Sequence, residues 1–370
     1  MDQSMKILHV INGVDAGGAQ TLLEQLGANP DPAWELHLVV LLGPGALSER
    51  LEPHFASTTY LGLDRSSWRV DDLVRKVAEA CREVDPDVIH SHLVQADLAV
   101  GLAPRPRRTT GKVTTVHTAG LSFGEPPRTR LLASGLGLLA HRFDAAVACT
   151  PRALQYMHGR GYPRSRTHVI TNGVVVPPRQ AESRRPATLV SLARWHPMKD
   201  FQTLLEAFRE VVTDIPEARL VCAGFGVDKS NDELRKLINE RRLEDAVSTL
   251  GPIDNVGTLL RAAKGLVISS RYGEALPMAG LEALALGTPV VTTDVGDTGE
   301  LTVDRFQLVP AGNPGALAHA MTLLLTATQD AYEDLSSRSY LRLSANFDIR
   351  VTVERYDALY RSVRARRTGG

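Results

Sequence analysis

Cysteine is scarce in this chain. Cys81, Cys149 and Cys222 stand far apart, lack metal-ligand spacing and each sit beside apolar residues. That pattern excludes a disulfide framework and a zinc finger, and it suits reduced, buried thiols in a cytosolic protein. Long apolar runs are also missing. Leu131–Ala140 contains glycine and is too short for a membrane span, so it reads as a packed helix. No export signal is expected, because Met5–Ile11 has the length of a strand. Net charge is absent as well: 42 Lys and Arg offset 42 Asp and Glu, which removes the general electrostatic case for a nucleic-acid partner. Basic residues do cluster at Arg105, Arg107, Arg108 and Lys112, at Arg128 and Arg130, and at Arg361, Arg364, Arg366 and Arg367. Solvated faces are the ordinary meaning of such clusters, and those in the first half leave peripheral membrane contact open. Tandem repeats and low-complexity segments are lacking.

What is present is alternation. At 370 residues the chain suits two domains. Short apolar strands are expected at Lys6–Ile11, Leu36–Leu41, Thr58–Leu61, Asp87–His90, Lys112–Val116, Ala145–Cys149 and His168–Ile170, with helices between them. A proline-rich polar stretch at 177–186 reads as a linker. Strands then resume at Thr188–Leu192, Arg219–Ala223, Val247–Leu250, Leu266–Ser269, Pro289–Thr293 and Phe306–Val309. The expected organisation is an N-terminal domain over 1–176, the linker, a C-terminal domain over 187–345, and a terminal helix over 346–370 that crosses back to the first domain. Strands alternating with helices imply α/β halves with parallel, doubly wound sheets. Ligands in such sheets lie beyond the carboxyl ends of the strands, so both halves would present loops to a shared cleft.

The densest stretch is Ser269–Asp294. A strand leads into a loop carrying Glu274; a helix over Ala279–Leu286 carries Glu282 and is closed by Gly287; Pro289 restarts a strand. A helix start after a strand exposes backbone N–H groups and makes an anion site. Taken alone, both carboxylates could be ordinary surface charges. Upstream, Arg194 and Lys199 follow a strand and precede a helix capped by Asp200. A planar guanidinium and a mobile ammonium both suit phosphate oxygens. Gly13–Gln20 includes Gly17 and Gly18 at the start of a helix, where the backbone can approach an anion or simply turn. It is not G-x-G-x-x-G, which argues against a nicotinamide cofactor. His117 ends a strand and could donate to a sugar hydroxyl or carbonyl, or be structural. His90 and His92 also end a strand, with no third metal ligand evident. Gly224 ends another strand in a small-residue turn suited to close approach of a nucleotide. Asn172 precedes Gly173 in a turn that closes the first half.

The block Glu274, Leu276-Pro277, the Glu-Ala-Leu-Ala around Glu282, Gly-Thr-Pro-Val-Val and Thr-Asp-Val-Gly-Asp resembles the donor-site signature of retaining glycosyltransferases of the GT-B architecture, family 4 (glycosyl transferases group 1). The resemblance implies two Rossmann-like domains facing across a cleft and transfer of a sugar from a nucleoside diphosphate sugar, UDP- or GDP-linked, to a sugar, lipid-linked or small-molecule acceptor. It places Gly17 and Gly18 near the donor diphosphate and acceptor, His117 and Glu274 at the donor sugar, and Arg194 and Lys199 on the diphosphate. Glu282 falls on the ribose, with the amides of Met278, Ala279 and Gly280 assisting at the helix start. Leu276 belongs to the same signature, Ile253 to a segment whose backbone reads the base, and Asn172 to an Asn-Gly-Val segment near the cleft. Neither a metal nor another cofactor is required if Arg194 and Lys199 neutralise the leaving group. Polysaccharide, glycolipid or glycosylated natural-product synthesis in the cytoplasm is the implied setting. Ala275 replaces a frequent glycine, Lys264 a frequent aspartate, and Val295–Val309 is short. A nucleotide-sugar epimerase of the same fold and a non-catalytic sugar-nucleotide-binding protein are the alternatives.

Overall fold

In the computed structural model the described residues are 4–15, 17–64, 69–118, 120, 127–179 and 185–369, without the side chains of 127–131 and 133. Residues 180–184 of the expected linker, Ala16 of the glycine loop, and the side chains of Arg128 and Arg130 lie outside that description. The chain forms two compact units, Met1–Gly173 with Ile349–Gly370, and Val174–Asp348.

Unit 1 contains β1 (Met5–Ile11), β2 (Trp34–Val40), β3 (Ser57–Tyr60), β4 (Val88–His92), β5 (Gly111–Val116), β6 (Ala145–Ala148) and β7 (Thr167–Val169). All pair in parallel, in the order β3-β2-β1-β4-β5-β6-β7. Unit 2 contains β8 (Thr188–Leu192), β9 (Arg219–Ala223), β10 (Val247–Thr249), β11 (Gly265–Ile268), β12 (Val290–Thr293) and β13 (Leu308–Val309), again parallel, in the order β10-β9-β8-β11-β12-β13. The near-continuous apolar character of β1 and β11 follows from this, since a parallel sheet covered by helices is buried on both faces. Alternation then sorts the strands' side chains. Ile7, Ile11, Val88 and Val113 join one core, while Leu8, Val10 and Ile89 join the core on the opposite face.

The first of these cores is closed by the last helix, Ile349–Thr368, whose Tyr356 and Tyr360 are fully buried. Their hydroxyls have partners: Tyr360 is hydrogen-bonded to His90 Nδ1 at 2.6 Å, and Tyr356 to Thr115 Oγ1 at 3.2 Å. Trp34 Nε1 donates to Asp357 on the same helix at 3.0 Å. Tyr360→Phe should therefore cost about 1–3 kcal/mol of unit 1 stability, because it leaves His90 Nδ1 buried without a partner. Urea unfolding of the variant against wild type checks this, and a loss below about 0.5 kcal/mol would contradict it.

The structure departs from the sequence expectations at short elements. Ser48–Leu51 forms an unforeseen helical turn. The last strand begins at Leu308, because Arg305–Gln307 is a 3₁₀ turn held by a capping box between Asp304 and Gln307. The first basic cluster is also less available than its sequence suggests. Lys112 is buried and donates to the carbonyls of Val100 and Ala103 at 2.6 Å each, Arg105 pairs with Asp144, and Arg107 pairs with Asp85. In the tail, Arg361 pairs with Asp357 and Arg367 with Asp144. Among the described residues, no helix is long and apolar enough to cross a membrane.

Candidate functional site

The second sheet reverses its winding at β8. From there the chain runs outward through β9 and β10, then returns to place β11 on the other side of β8. Loops leaving the carboxyl ends of two such strands diverge and leave a crevice. Here they are 193–200 and 269–277, which hold Arg194, Lys199 and Glu274.

The two loops are tied together. Ser269 Oγ donates to the Lys199 carbonyl at 2.7 Å, and the Arg271 amide to the Met198 carbonyl at 2.8 Å. Lys199 Nζ forms an ion pair with Glu274 Oε1, which also accepts from Ser270 Oγ at 2.6 Å. Both charged side chains are largely withdrawn from water, at 17% and 8% exposure. A pair this buried needs its additional hydrogen bond to offset desolvation, and Ser270, fully buried, supplies it. The sequence pattern assigns Lys199 and Glu274 separate tasks and does not single out Ser270; the structure joins all three. Arg194 differs: it is exposed, and its guanidinium has no ion pair or hydrogen bond among the described residues.

Lys199, Ser191, Ser269, Ser270, Pro277 and Ala279 line one narrow hollow. Its floor is the start of the helix Met278–Ala285. Proline at the N-cap brings no N–H, and the first intrahelical donors are Gly280 and Leu281, both to the Pro277 carbonyl. The amides of Met278 and Ala279 therefore remain without acceptors among the described residues, whereas Gly280, expected to assist, is already engaged. The helix ends in a Schellman motif, with Thr288 donating to Ala283 and Gly287, at φ 67°, donating to Leu284. Glu282 lies one turn inside the helix and is half-buried. The side chains of Leu276 and Met278 face the apolar core, leaving only their backbone for a ligand.

Two glycines hold the loops at close range. Gly224 sits at φ 142°, where a Cβ would lie 2.2 Å from the Ala193 carbonyl. Gly296 sits at φ 62°, where a Cβ would lie 2.0 Å from the Glu274 carbonyl. Both needs are steric. The Gly224 amide donates to Gly251, so the turn after β9 is locked to the loop that carries half-buried Ile253. Phe225 and Leu250 are exposed in these same loops, at 62% and 50%.

Unit 1 brings together a different set. Gly17 and Gly18 are exposed at the start of the helix Gly18–Ala28. Asn172 is buried, its Oδ1 unpartnered among the described residues, beside Gly173, which packs against the start of the last helix. His117 meets His92, with Nε2 and Nδ1 3.0 Å apart, and His92 Nε2 in turn meets His9 Nδ1 at 3.0 Å. Parallel register explains the convergence: His9 lies opposite His90, and His92 opposite Thr115. Burial pushes the His9 ring down to about 3 and His117 to about 4, and it holds His90 and His92 well below the usual histidine range. Nitrogens of His9, His90 and His92 lie within 4.8 Å of one another, so the third histidine that the sequence did not reveal is β1's. Both His90 nitrogens are occupied, by Tyr360 and by Thr115 at 2.7 Å, and a cation would have to displace those bonds.

Comparison with known proteins supplies the context. Residues 176–342 match the family model described as glycosyl transferases group 1, and residues 16–176 match that of glycosyltransferase family 4. An exopolysaccharide phosphotransferase of Streptomyces coelicolor is 30% identical over 62% of this chain and 24% of its own length. A GDP-mannose:cellobiosyl-diphosphopolyprenol alpha-mannosyltransferase of Xanthomonas campestris is 30% identical over 52% of each. The chain thus spans a quarter to about half the length of these two curated relatives. In fold it is similar to HepE of Anabaena, solved in complex with UDP-glucose, with a TM-score of 0.81 at 20% identity over 97% of this chain and 100% of that one.

Proposed function

Because the chain belongs to the glycosyl transferases group 1 and family 4 glycosyltransferases, we propose that it transfers a sugar from a nucleoside diphosphate sugar to an acceptor hydroxyl with retention of configuration. The observation that carries this is the buried Lys199–Glu274–Ser270 cluster, whose Lys199 and Ser270 line a hollow with Ala279 at the winding reversal of the second sheet, beside a helix start where the amides of Met278 and Ala279 have no acceptor among the described residues. Cationic and amide donors at one place suit a diphosphate. Arg194, without an ion pair among the described residues, adds a second positive charge on the same loop as Lys199.

In this reaction the bond from the anomeric carbon to the phosphate oxygen breaks, and its electron pair leaves with the diphosphate. The acceptor oxygen bonds to the same face of that carbon, and its proton passes to a phosphate oxygen. Negative charge on the diphosphate grows along this path, so Arg194, Lys199 and the two amides bind the transition state more strongly than the ground state. Glu282 accepts from the ribose hydroxyls, and Phe225, Leu250 and Ile253 flank the base. In unit 1, His117 bonds an oxygen of the sugar substrate, and Gly17 and Gly18 leave room for one. A UDP- or GDP-sugar donor and a polysaccharide or lipid-linked acceptor are the classes we favour; the GDP-mannose and diphosphopolyprenol in the name of the Xanthomonas relative and the UDP-glucose held by HepE support them.

The test is incubation with UDP- and GDP-sugars, with and without candidate acceptors. Acceptor-dependent release of nucleoside diphosphate, with a product that keeps the donor's anomeric configuration, is expected. Inverted product would overturn retention, and a change of the sugar without release would indicate epimerisation.

The two carboxylates separate in binding. Glu282→Gln should weaken bare nucleoside diphosphate and intact donor alike. Glu274→Gln should leave the bare diphosphate bound as well as or better than in wild type, since it removes a negative charge and frees Lys199, yet it should weaken the intact donor or slow transfer. Calorimetric titration of both variants with both ligands decides the matter; equal loss of the diphosphate in the two variants would contradict the assignment.

A further inference from the structure

One edge of the first sheet carries an unbalanced charge. Strands β4 to β7 are parallel neighbours, so the segments that lead into them, 85–87, 103–110, 142–144 and 160–166, meet along their amino ends. The end of the last helix joins them: Arg364 lies 3.7 Å from Asp87, and Arg367 Nε donates to Asp144 at 2.9 Å. Together with 364–367, these segments hold ten arginines and three aspartates, without lysine or glutamate, in a chain of zero net charge.

Internal pairing absorbs only part of this. Asp85 pairs with Arg107, Asp87 with Arg107 and Arg364, and Asp144 with Arg105 and Arg367. The other six arginines have no carboxylate partner among the described residues. Arg166 donates to the carbonyls of His141 and Phe143, at 2.8 and 3.0 Å. Arg108, Arg142 and Arg164 are exposed and make no hydrogen bond or ion pair among the described residues. Like charges gathered on one edge repel each other, and an external anion offsets that cost.

An apolar side chain stands beside them. Leu138 is 79% exposed, more than any other large hydrophobic residue among those described. Its helix, Pro127–Leu139, abuts the arginine edge: a Cβ on Gly137 would lie 1.7 Å from the Arg160 carbonyl. Arg160 donates to Ser134 Oγ at 2.6 Å, one turn before Leu138 on the same helical face. A polyanion dissolved in water would satisfy the arginines and leave Leu138 in water. A bilayer with anionic headgroups satisfies both, because guanidinium forks fit phosphate oxygens and the leucine enters the apolar layer beneath. We propose that this edge of unit 1 docks on an anionic phospholipid surface. It lies opposite the carboxyl ends of the strands, where His117 sits, so docking and transfer can be lost separately.

Co-sedimentation of the intact protein with vesicles tests this, using phosphatidylcholine alone beside an equal mixture with phosphatidylglycerol. Binding to the mixed vesicles only, weakened by salt, is expected. Each charge near an anionic leaflet strengthens binding about fivefold, so Arg142→Glu with Arg164→Glu should weaken it at least about tenfold. Arg209→Glu with Lys236→Glu changes the net charge equally on unit 2 and should leave binding unchanged. Leu138→Ser should weaken vesicle binding without altering binding to polyglutamate, a soluble polyanion. Absence of binding to the mixed vesicles overturns the proposal, as does equal loss in the two charge-reversed pairs. Binding to polyglutamate but not to vesicles, or vesicle binding indifferent to Leu138→Ser, would assign the edge to a soluble polyanion and overturn the lipid assignment.

Discussion

Arg194→Ala should lower kcat by a factor on the order of 10²–10³, the usual consequence of removing one donor that stabilises developing negative charge, and should leave the melting temperature unchanged. The guanidinium is exposed and makes no hydrogen bond or ion pair among the described residues, so the fold loses little with it. Lys199→Ala should differ in kind. It removes a proposed phosphate ligand and also strands Glu274, whose side chain is only 8% exposed. Breaking a buried pair from one side costs about 3–5 kcal/mol, so this variant should lose both turnover and unit 2 stability. Adding Glu274→Gln to it removes the stranded charge. The double variant should regain most of the stability and none of the activity. Thermal unfolding beside steady-state kinetics for the three proteins checks this. Arg194→Ala with near-normal turnover would remove the guanidinium from the proposed chemistry, and stability unrestored in the double variant would show that the ion pair is not the source of the loss.

Acidification should unfold unit 1 while sparing unit 2. His9 and His117 have folded values of about 3 and 4 against 6.5 for a free ring, and His90 and His92 are also strongly depressed. Below pH 6.5 the unfolded chain takes up protons at these rings and the folded chain does not. Their stability is therefore complete above pH 6.5 and is lost as pH falls toward 4. Asp97 opposes them. Burial raises its carboxyl to about 7 from 3.8, despite hydrogen bonds from Ser91 and Thr114, so its contribution is complete below pH 4 and is lost as pH rises through 7. Four rings against one carboxyl leave the unfolded state binding more protons than the folded state near pH 5, so stability falls as pH is lowered. Hydrogen exchange at pH 7.5, 6.0 and 5.0 resolves the two units. Protection should collapse across unit 1 by pH 5.0, and earlier in Asp97→Asn, which lacks the opposing group. Equal protection of both units at pH 5.0 would contradict it.

Much of the fold was readable from the chain because each parallel strand is a short apolar run bounded by turn residues, and the observed strands fall within two residues of those expected. Short elements were not. Ser48–Leu51 and Arg305–Gln307 have no hydrophobic period to announce them and depend on local hydrogen bonds. In the candidate site, the loop–helix placement of Glu274 and Glu282 followed from the glycine and proline around them. The pairing of Glu274 with Lys199 did not, since it joins loops 75 positions apart and arises only because β8 lies beside β11. His9 is hidden for the same reason: alone in an apolar strand it is an anomaly, and only the pairing of β1 with β4 sets it opposite His90. Strand order is a property of the packed sheet, which local sequence patterns do not encode.

The most direct test of the anion site in unit 2 is calorimetric titration of the intact protein with UDP and GDP beside uridine and guanosine. One diphosphate should bind at least tenfold more tightly than its nucleoside, and Arg194→Ala should weaken that diphosphate by about 10–150-fold, the equivalent of one charge-assisted contact of about 1.5–3 kcal/mol, while leaving the nucleoside unaffected. Failure of both diphosphates to bind, or equal affinity for the diphosphate in wild type and Arg194→Ala, would contradict the site.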